Sequence, residues 1–158
     1  MKYQDQRELS RVLGGVLAAE VMRDLRGRID LPDIILPVPM YSTRLTERGF
    51  NQAADIARWC ARELRLPCKA RWAKRATDTG SLAGLSRVER QLRIRGAFNV
   101  HTAVADQHIA IVDDVLTTGA TSGELTRELL DSGAASVQLW VLARTEAPAI
   151  QRSATQTA

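Results

Sequence analysis

Apolar positions along the chain switch between helical spacing and short uninterrupted runs, which predicts helices that alternate with strands. Residues 5–26 predict a first helix, and the apolar run 34–38 predicts a buried strand. Helical spacing returns over 50–64, and a strand is predicted near 69–73. The residues of the first helix that we expect to face the core are Leu9, Val12, Leu13, Val16 and Leu17.

The second half of the chain repeats this alternation. Ser86 and Glu89 have the spacing of a capping box and predict the start of a basic helix. The elements predicted after it are strands at 97–100, 108–112 and 136–143 and a helix at 121–131. This order favours one α/β domain over residues 1–150, with a mostly parallel, twisted sheet flanked by helices. Residues 151–158 have the composition of a frayed tail.

The start of the first helix carries two further signals. Asp5 and Glu8 have the spacing of a starting cap. Gly14 and Gly15 would weaken the helix by about 2 kcal/mol relative to two alanines. We therefore expect this helix to depend on contacts with the rest of the domain.

Residues 108–124, HIAIVDDVLTTGATSGE, hold the strongest chemical signal. Two adjacent carboxylates follow an apolar strand, and ligands of parallel α/β sheets bind at the carboxyl ends of strands. A glycine among hydroxyl residues then leads into a helix, whose first N–H groups and dipole attract anions. The segment predicts a ligand that combines a phosphate with a hydroxylated ring, or a bound Mg²⁺. The alternative is a plain turn in which Thr121 and Glu124 form a capping box.

Other phosphate motifs and metal motifs are absent from the sequence. Neither GxxxxGK[ST] nor GxGxxG occurs. Cys60 and Cys68 lack the spacing of a metal site, so we expect reduced thiols and no structural zinc, and neither His101 nor His108 changes this.

Composition describes an ordinary globular protein, with 45% hydrophobic and 25% charged residues. A net charge of +4 favours anionic partners, but aromatic residues make up 4% and are not interleaved with basic ones, so direct nucleic-acid binding is not expected. No apolar run reaches the ~20 residues that span a bilayer, and the N-terminus lacks the apolar core of a signal peptide. We expect a cytoplasmic protein that contacts no membrane.

The segment 108–124 resembles the signature with which type I phosphoribosyltransferases bind phosphoribosyl diphosphate (PRPP). The resemblance implies a type I phosphoribosyltransferase-like fold. It implies that Asp113 and Asp114 contact the ribose hydroxyls, act in catalysis and hold Mg²⁺ through the ligand. The residues that it assigns to the 5′-phosphate are Thr117, Thr118, Gly119, Ala120 and Thr121.

A second stretch, 33–52, resembles the Pro-Val-Pro and Arg-Gly-Phe-Asn-Gln motifs of the ComF family, named for bacterial competence. Residues 85–98 and 142–144 are similar to that family too. In related transferases the loop at Pro37-Val38-Pro39 binds pyrophosphate. The residues that we assign to pyrophosphate are Val38, Pro39, Arg44, Arg48, Lys74 and Arg75. For residues 48–52 the alternative is a helix start in which Asn51 is the cap, and both roles can coexist.

Residues 76–85 are rich in Thr, Gly and Ser and have basic flanks, which suits a lid that closes over pyrophosphate. The alternative is a solvated basic face. The resemblance also has departures. Many relatives carry an upstream four-cysteine zinc module that this sequence lacks, Leu82 replaces a glutamine and Arg93 an asparagine.

Two functions follow as hypotheses. The first is transfer of a phosphoribosyl group from Mg²⁺-bound PRPP to an unidentified nucleophile, with the first helix as part of a hood over the site. The second is a non-catalytic module that binds PRPP or a nucleotide and acts in competence or DNA uptake through protein partners. The sequence leaves self-association open.

Overall fold

Residues 2–24, 30–77 and 84–145 are described by a computed structural model, and in them helices and strands alternate. In chain order the elements are α1 (Lys2–Asp24), β1 (Ile34–Pro37), α2 (Ser42–Arg48), α3 (Gln52–Leu64), β2 (Ala73–Arg75), α4 (Arg87–Ile94), β3 (Phe98–Val100), β4 (His108–Leu116), α5 (Ala120–Asp131) and β5 (Ser136–Arg144). No helix within these ranges is long and apolar enough to cross a membrane.

The central sheet is parallel and has the strand order β1-β4-β5. Ile34 pairs with Ile109 on one side of β4, and Ser136 pairs with His108 on the other. Residue 68 forms an isolated parallel bridge to Ile35 at the outer edge of β1. Because every residue of β1 is buried, its sequence is a continuous apolar run rather than an alternation. The predicted α/β class with a parallel sheet is confirmed.

Helices cover both faces of the sheet, and the two-residue period of β4 sorts its side chains between them. Ile109 and Ile111 lie in one core cluster, together with residues of α5 and of the antiparallel strand pair β2-β3. Ala110 and Val112 lie in the other cluster, which contains residues of α1 and α3. The site described below is therefore carried by a strand that is fixed from both sides.

The face that α1 turns to the core agrees with the prediction in part, since Leu17 is buried and Leu13 packs against the core. Leu9, Val12 and Val16 are each more than half exposed, and the smaller Ser10 and Gly14 are buried in their place. A Cβ on Gly14 would lie 2.5 Å from Cβ of Trp59, so glycine is what allows α1 to lie this close to α3. The apolar spacing therefore predicted part of the buried face, but it did not show that close packing on α3 needs small residues there.

The ends of several elements also differ from the predictions. Asp5 lies inside α1 rather than at its start. The strand predicted at 69–73 is β2, at Ala73–Arg75. Helix α2 was not predicted, because its seven residues include no buried side chain and so show no apolar periodicity. The body of α1 packs on α3, and among its described side chains Gln6 and Arg7 reach the cavity at the end of β1.

Candidate ligand site

The end of β4 projects beyond the neighbouring strand β1. Pro37, the last residue of β1, pairs with Val112, while β4 continues to Leu116 and pairs there with β5. The predicted strand ended at Val112, so Asp113 and Asp114 lie within the strand and not just after it. On one side Asp113 pairs with Val141 of β5, while the pairing with β1 has already ended at Val112.

Asp113 and Asp114 are half-buried neighbours whose carboxylates accept local hydrogen bonds. The Asp114 N–H donates to Asp113 Oδ1 (3.0 Å), and the Val115 N–H donates to Asp114 Oδ1 (2.9 Å). Burial raises the pKa of Asp113 to about 7, and the side chain of Asp114 acts in the same direction through its hydrogen bond and its negative charge, whereas the bond from the Asp114 N–H acts in the opposite direction. A cation or a pair of hydroxyl donors at this position would favour the ionised form.

The residues after β4 turn into α5 through Gly119, which has a left-handed backbone (φ 73°) and is the N-cap of the helix. No side chain caps α5, and the hydroxyl of Ser122 instead donates to the Gly119 carbonyl (3.3 Å). The first turn therefore keeps its backbone donors and its positive dipole end directed at the loop.

The alternative in which Thr121 and Glu124 form a capping box is wrong. Glu124 Oε1 accepts from the Gly96 N–H (2.6 Å), and the Glu124 carboxylate also binds Arg127. Glu124 therefore binds Gly96, which is distant in sequence, and does not pair with Thr121. Thr121 lies inside the helix, and its side chain is half-buried beside the loop.

The loop, the carboxylate and one arginine surround a small cavity of about 70 Å³, which we call the loop cavity. Its lining includes Asp113, all five residues predicted to bind phosphate, and Arg90 of α4. The sequence did not single out Arg90 as a site residue, because many other basic residues lie between 69 and 95. A signal was present: the apolar Ile94 lies four residues later on the predicted helix, so it and Arg90 share one face.

A larger cavity of about 870 Å³, here called the exit cavity, lies where the chain leaves β1. Pro39, Lys74 and Arg75 line it, as do Phe50 and Asn51. Of the six residues assigned to pyrophosphate, Pro39, Lys74 and Arg75 come together in this cavity. The further basic residues in its wall are Arg7, Arg58 and Arg71.

Asn51 has two structural roles at this cavity. Its Oδ1 accepts from the Ala54 N–H and caps α3, while its Nδ2 donates to the Val38 carbonyl (3.1 Å). The predicted cap is thus confirmed. The Val38 N–H donates to the Val112 carbonyl (2.9 Å), so both backbone groups of Val38 are already bonded within the protein. Val38 fixes the loop in place, and an anion would have to find its donors on other residues.

Arg44 and Arg48 lie one turn apart on α2, outside the lining of the exit cavity. Arg48 is exposed and Arg44 is half-buried. Residues 78–83 of the predicted lid, including Leu82, lie outside the described residues. Of its basic flank, Lys74 is exposed and the Arg75 guanidinium lies 6.0 Å from the centre of the Phe98 ring.

The donor set at the end of β4 suits magnesium better than zinc. In the described ranges no three His, Cys, Asp or Glu side chains come together as a metal cluster. His101 accepts from the Ala103 N–H and His108 is hydrogen-bonded to Ser136 of β5, while Cys60 and Cys68 are free thiols whose pKa values burial raises. Magnesium needs only one or two carboxylates when phosphate oxygens and waters complete its shell, and Asp113 and Asp114 fit that requirement.

Solved structures with a similar fold are phosphoribosyltransferases. The chain superposes on glutamine PRPP amidotransferase of B. subtilis, in complex with ADP and GMP, with a TM-score of 0.58 and 19% identity, over 86% of this chain and 26% of that one. A hypoxanthine phosphoribosyltransferase of Trypanosoma cruzi, in complex with IMP, superposes with a TM-score of 0.50 and 16% identity, over 88% of this chain and 74% of that one. The chain has the type I phosphoribosyltransferase-like fold.

Curated relatives give a narrower assignment. The chain is 35% identical over 146 residues to the DNA utilization protein YhgH of Escherichia coli, and 34% identical over 148 residues to competence protein F of Haemophilus influenzae. These matches cover 92% and 90% of this chain and 64% of each relative. The chain belongs to the competence protein F (ComF) family over the part that it shares with these proteins. No family model matches it.

Proposed function

We propose that the chain binds PRPP with Mg²⁺ and transfers its phosphoribosyl group to a nucleophile. The observation that carries this proposal is the loop cavity, in which Asp113 and the uncapped start of α5 face the same space. A carboxylate suits ribose hydroxyls, and a helix N-terminus suits a phosphate. PRPP has both groups at a fixed separation.

The residues of the site have separate roles in this reaction. The hydroxyls and backbone N–H groups of 117–121 hold the 5′-phosphate. Asp113 and Asp114 accept hydrogen bonds from the ribose hydroxyls, and their negative charge stabilises the positive charge that develops on the ribose as pyrophosphate leaves. Mg²⁺, when bound, neutralises the departing diphosphate.

We assign the diphosphate end of PRPP to the exit cavity. Lys74 and Arg75 lie in its wall together with Pro39 and with other basic side chains, while the hydrogen bonds of Val38 hold the neighbouring backbone in place. Arg44 and Arg48 would meet the diphosphate from α2, outside this wall. The pairing of charges explains why a cavity of this size has so basic a lining.

Calorimetry with PRPP, with and without Mg²⁺, tests the proposal. We expect PRPP and Mg²⁺ to bind together more tightly than either alone, and Asp114→Asn to weaken PRPP about 10- to 150-fold, which corresponds to the ~1.5–3 kcal/mol of a hydrogen bond to a charged group. The variant should remain folded by circular dichroism. Absence of PRPP binding under both conditions would refute the proposed function.

A non-catalytic binding module is the second candidate, and the names of the relatives favour it. Competence and DNA utilization describe processes in which a PRPP or nucleotide sensor could act through protein partners. Release of pyrophosphate from PRPP in the presence of mixed bases, amines and nucleotides separates the two functions. Binding without release, over this range of acceptors, would favour the module. Either function suits a reducing cytoplasm, where free thiols persist.

A further inference from the structure

Arg90 has a buried guanidinium nitrogen without a hydrogen-bond partner. Among the described residues its Nε is one of two buried side-chain polar atoms in this condition. Arg90 is half-buried on α4, and its side chain forms part of the loop cavity together with Asp113 and residues 117–122. A buried donor that is not paired costs free energy, so the position is explained if a ligand supplies the missing acceptor.

Helix α4 is fixed at both ends, so Arg90 is held in place. Ser86 and Glu89 form the predicted capping box at its start. At its other end Ile94 is buried (1% exposed), and the Gly96 N–H donates to Glu124 of α5. The tether to α5 sets the distance between Arg90 and the loop.

An anion between α4 and the loop would depend on Arg90 for a positively charged side chain. Residues 113–124 contain two aspartates and a glutamate and no lysine or arginine. Among the described residues that line the loop cavity, Arg90 is the basic one. A cavity of about 70 Å³ has room for a small anion, since a single water needs only about 10–15 Å³ of such space.

We propose that Arg90 is a phosphate-binding residue, which holds the 5′-phosphate of the ligand from the side opposite the start of α5. The inference rests on the proposed function and adds a contact from a separate element, α4. The planar guanidinium can bind two phosphate oxygens through a rigid pair of parallel N–H donors, a geometry that an ammonium group lacks. Phosphate binding would then join α4 and α5 across the loop.

The test compares Arg90→Gln and Arg90→Lys with two controls. Arg93→Gln removes an exposed arginine from the same helix, and Arg144→Gln removes an exposed arginine that lines a different cavity beside Thr117 and Thr118. Three probes are titrated: inorganic phosphate, followed by the rise in melting temperature, and ribose 5-phosphate and PRPP, followed by calorimetry. Circular dichroism and hydrogen exchange over 87–94 check that α4 is intact.

We expect Arg90→Gln to weaken ribose 5-phosphate about 10- to 150-fold and PRPP by the same factor, because the contact is to the phosphate that both share. The phosphate-dependent rise in melting temperature should disappear. Arg90→Lys should lie between Arg90→Gln and the wild type, and both controls should stay within about twofold of the wild type.

Three results would overturn the inference: unchanged affinities in Arg90→Gln, a loss for PRPP alone, or an equal loss in either control. If Arg90→Gln does not fold, an Arg90→Lys variant with wild-type affinity for ribose 5-phosphate overturns it instead. A wild type that binds phosphate through Arg90 but not PRPP would refute the proposed function and leave Arg90 as a phosphate ligand. A wild type that binds none of the three probes refutes both.

Discussion

Asp113 holds a proton in the folded protein over a pH range in which the unfolded chain has lost it. Its pKa is about 7 in the fold, against an ordinary value of 3.8, because burial and Asp114 disfavour the charged form. Between these values the folded state binds more protons than the unfolded state. Stability must therefore fall as pH rises through this window, the reverse of the usual behaviour of a paired aspartate.

We predict that the free energy of unfolding of the ligand-free protein decreases from about pH 5 to pH 7 and levels off above it. The slope from one group cannot exceed about 1.4 kcal/mol per pH unit. Urea unfolding at several pH values measures it, and Asp113→Asn should remove the Asp113 part of the slope. An unchanged slope in Asp113→Asn would show that another group titrates.

Thr121 separates ligand binding from helix stability, because the structure gives it no capping bond. Thr121→Val should weaken ribose 5-phosphate by about tenfold or more, as expected for one hydrogen bond to a charged group. Its melting temperature should change little, whereas loss of a helix cap would cost ~1 kcal/mol. Normal affinity together with a lower melting temperature would return Thr121 to a purely structural role.

At the scale of helices, Gly14 and Gly15 form a matched pair on α1. A methyl group on Gly14 would meet Trp59 and the backbone of α3, while one on Gly15 would meet nothing within 4 Å. Gly14→Ala should lower the free energy of unfolding by about 2 kcal/mol through overpacking. Gly15→Ala should raise it by about 0.5–1 kcal/mol. Thermal and urea unfolding of both variants measure these changes, and equal effects would contradict close packing of α1 on α3.

How far the sequence predicts each element depends on whether its signal is local. The β4 strand, the Asn51 cap and the Ser86 capping box are set by neighbouring residues, and all three were predictable. Glu124 was misassigned because its partner, Gly96, lies 28 residues away. Likewise the exposure of Leu9 and the inward position of Arg90 depend on how the helices pack against their neighbours. Apolar spacing alone does not predict that packing.

At the scale of the whole molecule, the two cysteines report global opening. Burial raises the pKa of the Cys60 thiol to about 12, and it raises that of Cys68 as well, so both are poor nucleophiles in the fold. We predict that Cys60 reacts with a thiol reagent at the rate at which the domain unfolds, and that both thiols react in urea. Rapid labelling of Cys60 in the native protein, or recovery of a disulfide from freshly lysed cells, would contradict this.

The order of strands has a consequence for how the protein is made. Ile34 of β1 pairs with Ile109, which the ribosome adds 75 residues later. Until then β1 has no neighbouring strand, and α1 and α3 have no complete sheet to pack on. Their apolar surfaces remain exposed to other nascent chains and to chaperones. The carboxylates lie near the end of that strand and the loop follows it, so the ligand site is assembled with the last part of the core. A chain whose translation stops before residue 109 therefore lacks the central sheet, and it also lacks the carboxylates and the loop of the ligand site.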